Sequence, residues 1–195
     1  MLTIRSLKVL GAVAVVYALA GMPGADAGTA YKDAYQVVSD ASIKPGDALP
    51  APQGDVVLTV TGKVDAKTAS GAPITFDMKT LEKIGLIRFT TRTEWTDGPV
   101  QFEGVLLKDL LAVLNPEKKA DKLVLKALND YISSMPISDA NDYPVMVAVK
   151  ENGEYMSVRE RGPLWIVYPQ DTYPEVGRRE FLSRWVWQLA EISVE

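Results

Sequence analysis

Tyr143 to Pro169 reads YPVMVAVKENGEYMSVRERGPLWIVYP, and this stretch decides the fold class. Val145 to Lys150 and Glu154 to Val158 flank Glu151-Asn152-Gly153. An Asn-Gly pair between two such runs is a strong hairpin signal, because both residues accept the positive φ of a tight turn. Gly162-Pro163 then interrupts the chain, and Leu164 to Tyr168 follows as an apolar run of the length of a buried strand.

The same grammar extends in both directions. Val56 to Gly62 reads as a strand, and Ile74 to Asp77 as a second short one. Met78 to Ile84 fits a short helix with Asp77 as its N-cap. Leu86 to Thr93 alternates apolar and polar residues as a strand does. Leu106, Leu107, Leu110, Leu111 and Leu114 have the spacing of an amphipathic helix, predicted over Phe102 to Leu114. Lys122 to Leu128 and Trp185 to Val194 complete the strand candidates. Many short strands with two short helices indicate an α+β domain with a mixed or antiparallel sheet.

Before this domain, Gly28 to residue 54 is rich in Gly, Pro, Ala and Asp, with weak periodicity. It reads as an extended arm with a short helix near Tyr31 to Ser39, or as a flexible spacer. The first 27 residues have a different pattern. Arg5 and Lys8 precede the apolar run Val9 to Ala20, and Ala25-Asp26-Ala27 is a small-residue cleavage site. A run of about a dozen residues is short for a bilayer, which needs about 20. The order is that of a secretory signal peptide, cleaved after Ala27, with an uncleaved anchor as the alternative. The expected organisation is therefore signal peptide 1–27, arm 28–54 and domain 55–195, located in the periplasm and not membrane-embedded.

Composition excludes several chemistries. The 195 residues include no Cys and no His, and the formal charge is −4. Ser-His-Asp and Cys-His nucleophiles are ruled out, as are zinc sites built on those residues and thioether-attached haem. Removing residues 1–27, with Arg5, Lys8 and Asp26, shifts the charge to −5. This mild acidity offers no general attraction to nucleic acid. Carboxylates alone satisfy the residue requirement of a glycosidase, but no spacing here suggests one.

The central stretch also resembles the core of the sulfite oxidase superfamily, with its strand, Asn-Gly turn, short strand and Gly-x-Pro block. Upstream, Phe102-Glu103-Gly104-Val105-Leu106-Leu107-Lys108-Asp109-Leu110-Leu111 is similar to that superfamily's W-x-G-x-x-L-x-D-L-L helix entry. Downstream, Arg184-Trp185-Val186-Trp187-Gln188-Leu189 is similar to its V-K-W segment. The resemblance implies a molybdopterin-type fold. It also implies a Cys metal ligand near Leu86–Thr93, where this chain has Thr91 or a neighbour. Arg161 stands where the family's pocket His falls, and Trp165 where a cofactor-binding Arg falls. A Thr hydroxyl is a poor substitute for a soft thiolate.

A narrower group is more similar still: small periplasmic proteins of this fold, including PruR-type regulators, which bind pterins without molybdenum. The shared segments are Thr91 to Gly98, Ala127 to Tyr131, Gly162 to Pro169 and Arg184 to Leu189. This resemblance implies a non-molybdenum pterin as ligand. It implies as partner the periplasmic sensor domain of a membrane diguanylate cyclase or phosphodiesterase.

A pterin is a flat bicycle with a hydrogen-bonding edge. It calls for an aromatic wall, a carboxylate for the donor edge and an Arg or amide for the acceptor edge. Trp95, Trp165 and Trp187 are the wall candidates, with ordinary core packing as the alternative for each. Strand alternation sends Trp185 and Trp187 to opposite faces, so only one of the two is expected in a shared pocket. Asp130 is the candidate carboxylate, supported by Asn129 and Tyr131, unless Asn129-Asp130 is simply a turn. Arg92, Arg161 and Arg184 are candidates for the acceptor edge or for structural ion pairs, with Gly162 beside Arg161. Thr91 and Thr93 supply hydroxyls, or plain β-propensity.

Three readings follow. The first is a periplasmic pterin-binding regulator of an inner-membrane cyclic-di-GMP enzyme, without catalysis. The second is a molybdopterin oxidoreductase that keeps its cofactor without a Cys ligand. The third is an interaction protein that uses the fold with no ligand.

Overall fold

The computed structural model describes residues 34–66, 68 and 74–195. The expected signal peptide and the first part of the expected arm lie outside the described residues. Two sheets with a few short helices make an α+β fold.

The first sheet is antiparallel throughout. It contains β1 (Gln36–Ser39), β4 (Leu86–Thr91), β5 (Val100–Leu106), β8 (Met146–Glu151) and β10 (Trp165–Val167) in the order β1-β4-β5-β8-β10. The short β9 (Glu154–Tyr155) pairs with β8 across the expected hairpin. Asn152 and Gly153 both have positive φ there, 51° and 87°, as a tight Asn-Gly turn requires. The second sheet is mixed. It comprises β2 (Val56–Gly62), β3 (Ile74–Asp77), β6 (Lys122–Ala127), β7 (Ile132–Pro136) and β11 (Leu189–Val194), in the order β3-β2-β11-β6-β7. Only β2 and β11 are parallel.

Helix α1 (Met78–Glu82) begins where its cap was expected. Asp77 Oδ1 accepts the Thr80 N–H at 2.8 Å, and its Oδ2 accepts the N–H groups of Gln53 and Gly54 at 2.8 and 2.9 Å. One buried carboxylate thus caps a helix and ties the preceding segment to the domain. Helix α2 (Leu107–Leu114) packs Leu107, Leu110, Leu111 and Leu114 into a single contiguous core.

Several sequence expectations change. Phe102–Leu114 is not one helix: residues through Leu106 are β5. Gly104 explains the difference, because a Cβ there would collide with the Val147 backbone as β5 passes β8. Pairing on both edges overrides the local helical spacing. Within the described part of the arm, Gln36–Ser39 is an edge strand rather than a helix, and Ile43 and Leu49 are buried. The strand expected from Trp185 begins at Leu189.

The residues just before β11 hold the two sheets together. Ile166 N–H donates to Val186 O at 2.9 Å, and Leu189 N–H to Leu164 O at 2.9 Å. The chain from Val186 to Leu189 therefore runs along β10 of the first sheet before entering the second.

Candidate functional site

A cleft of about 240 Å³ opens beside this seam, lined by Trp95, Asn129, Tyr131, Leu182, Ser183, Trp185, Val186 and Trp187. Three chain segments supply it: the β4–β5 loop, the β6–β7 turn and the stretch leading into β11.

The β4–β5 loop presents Trp95 through its threonines. Thr93 Oγ1 accepts the Trp95 N–H at 3.0 Å and contacts Thr96 Oγ1 at 3.1 Å, while Thr96 Oγ1 donates to Gly98 O at 3.1 Å. Such side chain–backbone bonds replace ladder bonds in a tight loop. Thr93 is thus committed to shaping the loop. Trp95 stands edge-on to Trp187, with centroids 5.5 Å apart and planes at 77°, and tilted against Trp185 at 5.9 Å.

The β6–β7 turn contributes Asn129 and Tyr131. Asn129 Oδ1 accepts the Tyr131 N–H at 3.1 Å, an Asx turn that leaves Asp130 at φ 63°. The Tyr131 hydroxyl reaches Ser183 O at 3.5 Å, across the cleft. Asp130 is not part of the cleft lining. It is exposed and pairs with Lys126 at 2.9 Å, the turn role weighed against its ligand role.

The third segment holds both Trp185 and Trp187, correcting the expectation that they diverge. Alternation fails because Trp185 and Val186 lie outside any regular strand, and β11 begins only at Leu189. Leu182 and Ser183 were not singled out from sequence, Val186 entered only within the Arg184–Leu189 segment, and Trp185 was weighed against Trp187. The indole N–H of Trp185 is buried without an acceptor among the described residues.

Trp165 does not form part of the cleft wall. It is fully buried, edge-on to Phe102 at 5.3 Å and to Trp95 at 6.2 Å, and its Nε1–H donates to Trp185 O at 3.3 Å. It supports the wall from beneath. Arg161 lies beside it, with its guanidinium 5.0 Å from the Trp165 ring, Nη1 donating to Trp95 O at 3.0 Å and Nη2 facing Glu151 at 3.4 Å. Gly162 follows in a buried turn where a Cβ would strike the Met156 carbonyl.

The remaining candidates lie elsewhere. Arg184 Nη1 and the Tyr168 hydroxyl both donate to Asp139 Oδ2, at 2.7 and 2.6 Å. This pins the third segment to helix α3 (Asp139–Asp142). Burial, with the Asp139 charge behind it, pushes the Tyr168 phenol far above its ordinary range. Arg92 is exposed and pairs with Asp171 at 3.0 Å. With Thr93, Glu94, Gln170, Asp171 and Pro174 it lines a separate, polar cavity of about 430 Å³. Thr91 is fully buried beside that cavity. Its Oγ1 donates to Arg92 O at 3.2 Å and accepts the Asp171 N–H at 3.1 Å.

Residues 57–173 match the model of the oxidoreductase molybdopterin binding domain. The chain belongs to this family. No curated protein matches it. The crystal structure of the sulfane dehydrogenase SoxCD from Paracoccus pantotrophus is similar in fold, with a TM-score of 0.54 at 21% identity. The match covers 70% of this chain and 37% of that one, so the chain spans little more than a third of that relative.

The domain's family name implies a molybdopterin, yet the residues present do not fit a thiolate-held metal. The sequence has no Cys. Thr91, which with its neighbours stands where the resemblance places the thiolate, has its hydroxyl enclosed and hydrogen-bonded. No cluster of three Asp or Glu side chains with metal-binding spacing occurs among the described residues. What the molybdopterin-domain fold offers instead is the tryptophan cleft. Its lining includes no carboxylate, Lys or Arg, so the carboxylate expected for a pterin's donor edge is not there, and the polar side chains left to meet a stacked, uncharged ring are Asn129, Tyr131 and Ser183.

Proposed function

We propose that this protein is a periplasmic pterin-binding module without molybdenum catalysis. In this reading it is a ligand-responsive regulator of an inner-membrane cyclic-di-GMP enzyme. The observation that carries it is the cleft walled by Trp95, Trp185 and Trp187, on a molybdopterin-domain fold in a chain that has no Cys to hold a metal. The signal-peptide pattern of residues 1–27 supports export. Exposed Leu128, Tyr131 and Ile132 beside the cleft mouth support docking of a sensor domain there, where occupancy of the cleft is felt.

The cavity beside Thr91 favours a second reading, an oxidoreductase that retains molybdopterin without a Cys ligand. Gln170 Oε1 is buried there without a hydrogen-bond partner among the described residues. One experiment separates the two. The protein is purified from its native envelope, its molybdenum is measured, and extracted small molecules are examined for pterin fluorescence. A fluorescent pterin without metal is the expected result. Molybdenum near one equivalent with redox activity would overturn it.

A further inference from the structure

Besides Asp130 in its Asx turn, two non-glycine residues beside the cleft have left-handed backbones, Arg161 at φ 90° and Gln188 at φ 51°. Such conformations are costly for residues with a Cβ and persist where surrounding contacts over-determine them. These two are bonded to each other, with Gln188 N–H donating to Arg161 O at 2.8 Å. The Gln188 amide also donates to Val158 O at 2.6 Å, in the turn that leads into Arg161.

From this pair, hydrogen bonds reach all three segments of the cleft. Arg161 Nη1 holds the carbonyl of Trp95 at 3.0 Å. Gln188 directly follows Trp187. The Gln188 carbonyl accepts the Leu128 N–H at 2.9 Å, next to Asn129. Arg161 is itself fixed by Glu151 and by the face of Trp165.

We propose that Arg161 is a positioning residue for the tryptophan cleft. Its side chain sets Trp95, and its backbone, through Gln188, sets Trp187 and Asn129. It lies outside the cleft lining and acts on the ligand only through these walls. This role of Arg161 rests on the pterin-binding reading, but the wall geometry exists with or without a ligand.

The test compares Arg161→Gly, Arg161→Lys and Asp77→Ala in the full chain. Glycine accepts the φ of residue 161 without strain, so Arg161→Gly removes the guanidinium and spares the turn. Asp77→Ala lowers stability through the Gln53, Gly54 and Thr80 contacts instead, and controls for general softening. The first readout is the far-ultraviolet circular dichroism couplet of the closely spaced indoles. The second is titration with biopterin, followed by tryptophan quenching.

Arg161→Gly keeps the residue-161 carbonyl for Gln188 but releases Trp95, so the couplet is expected to weaken and the Kd to rise about fivefold, the order of one lost hydrogen bond. Arg161→Lys should restore part of both, and Asp77→Ala should leave both unchanged. A wild-type couplet in Arg161→Gly would overturn the proposal. So would an equal loss in Asp77→Ala. Failure of the wild-type protein to bind biopterin would count against the pterin reading alone, because the couplet still reads the wall geometry.

Discussion

The indole of Trp187 meets that of Trp95 edge-on at 5.5 Å, joining a residue from the seam between the sheets to one from the β4–β5 loop. Neither ring is fully buried, in contrast to Trp165 beneath them. Both line the cleft, and in the pterin-binding reading their exposed faces are its stacking surface. Trp187→Ala is therefore expected to weaken biopterin binding by about 0.5–1.5 kcal/mol beyond the lost contact area. A fluorescence titration checks this, and an unchanged Kd would remove Trp187 from the wall.

Trp165→Ala should behave differently. The ring is fully enclosed against Phe102, Trp95 and Trp187, and its N–H holds the Trp185 carbonyl. Deleting it leaves a large cavity, so the expected loss is about 3–5 kcal/mol of stability. Urea unfolding measures it. A loss below about 1 kcal/mol would mean that the site collapses without a cavity.

The Asp139 carboxylate receives two donors, from Tyr168 and Arg184, and the two deletions are unequal. Tyr168→Phe removes one neutral hydroxyl and leaves Asp139 paired, an expected cost of about 1 kcal/mol. Asp139→Ala strands a guanidinium and a buried phenol together, with an expected cost of about 3 kcal/mol or more. Paired urea titrations of the two variants give the order. Equal losses would show that Arg184 finds another partner or water.

What could be read from sequence was what neighbouring residues decide among themselves. The Asn152-Gly153 turn, the Asp77 cap and the strand Val56–Gly62 depend on local chemistry, and the structure has them where they were expected. The division of Phe102–Leu114 depends on β8, more than forty residues away, and so did not show in the local spacing. Strand β7 ends in Pro136 and lies at a sheet edge, and it gave no pattern to read. The site divides in the same way. Trp95, Asn129, Tyr131 and Trp187 come together, whereas Asp130 and Arg184 are drawn away by Lys126 and Asp139. Those ion-pair partners cannot be inferred from motif order. Trp185 was misassigned because the alternation rule assumes a regular strand, and the chain does not enter β11 until Leu189.

Asp77 gives the pH dependence. Its carboxylate accepts hydrogen bonds from Thr80, Gln53 and Gly54, and Thr80 leads in holding its pKa well below the usual carboxylate range, against the opposing effect of burial. A depressed folded-state pKa means that the unfolded chain binds the proton first. The stabilisation is then complete above the ordinary Asp value of about 3.9 and is lost as pH falls below it toward the folded pKa. Asp77→Asn keeps one acceptor but turns an amide N–H₂ toward the Gln53 and Gly54 donors, at a cost of about 1–3 kcal/mol near neutral pH. Urea unfolding of wild type and Asp77→Asn from neutral pH down into the acid range should show the difference between them shrinking on acidification. A difference that stays constant across that range would mean that the Asp77 charge contributes nothing to the cap.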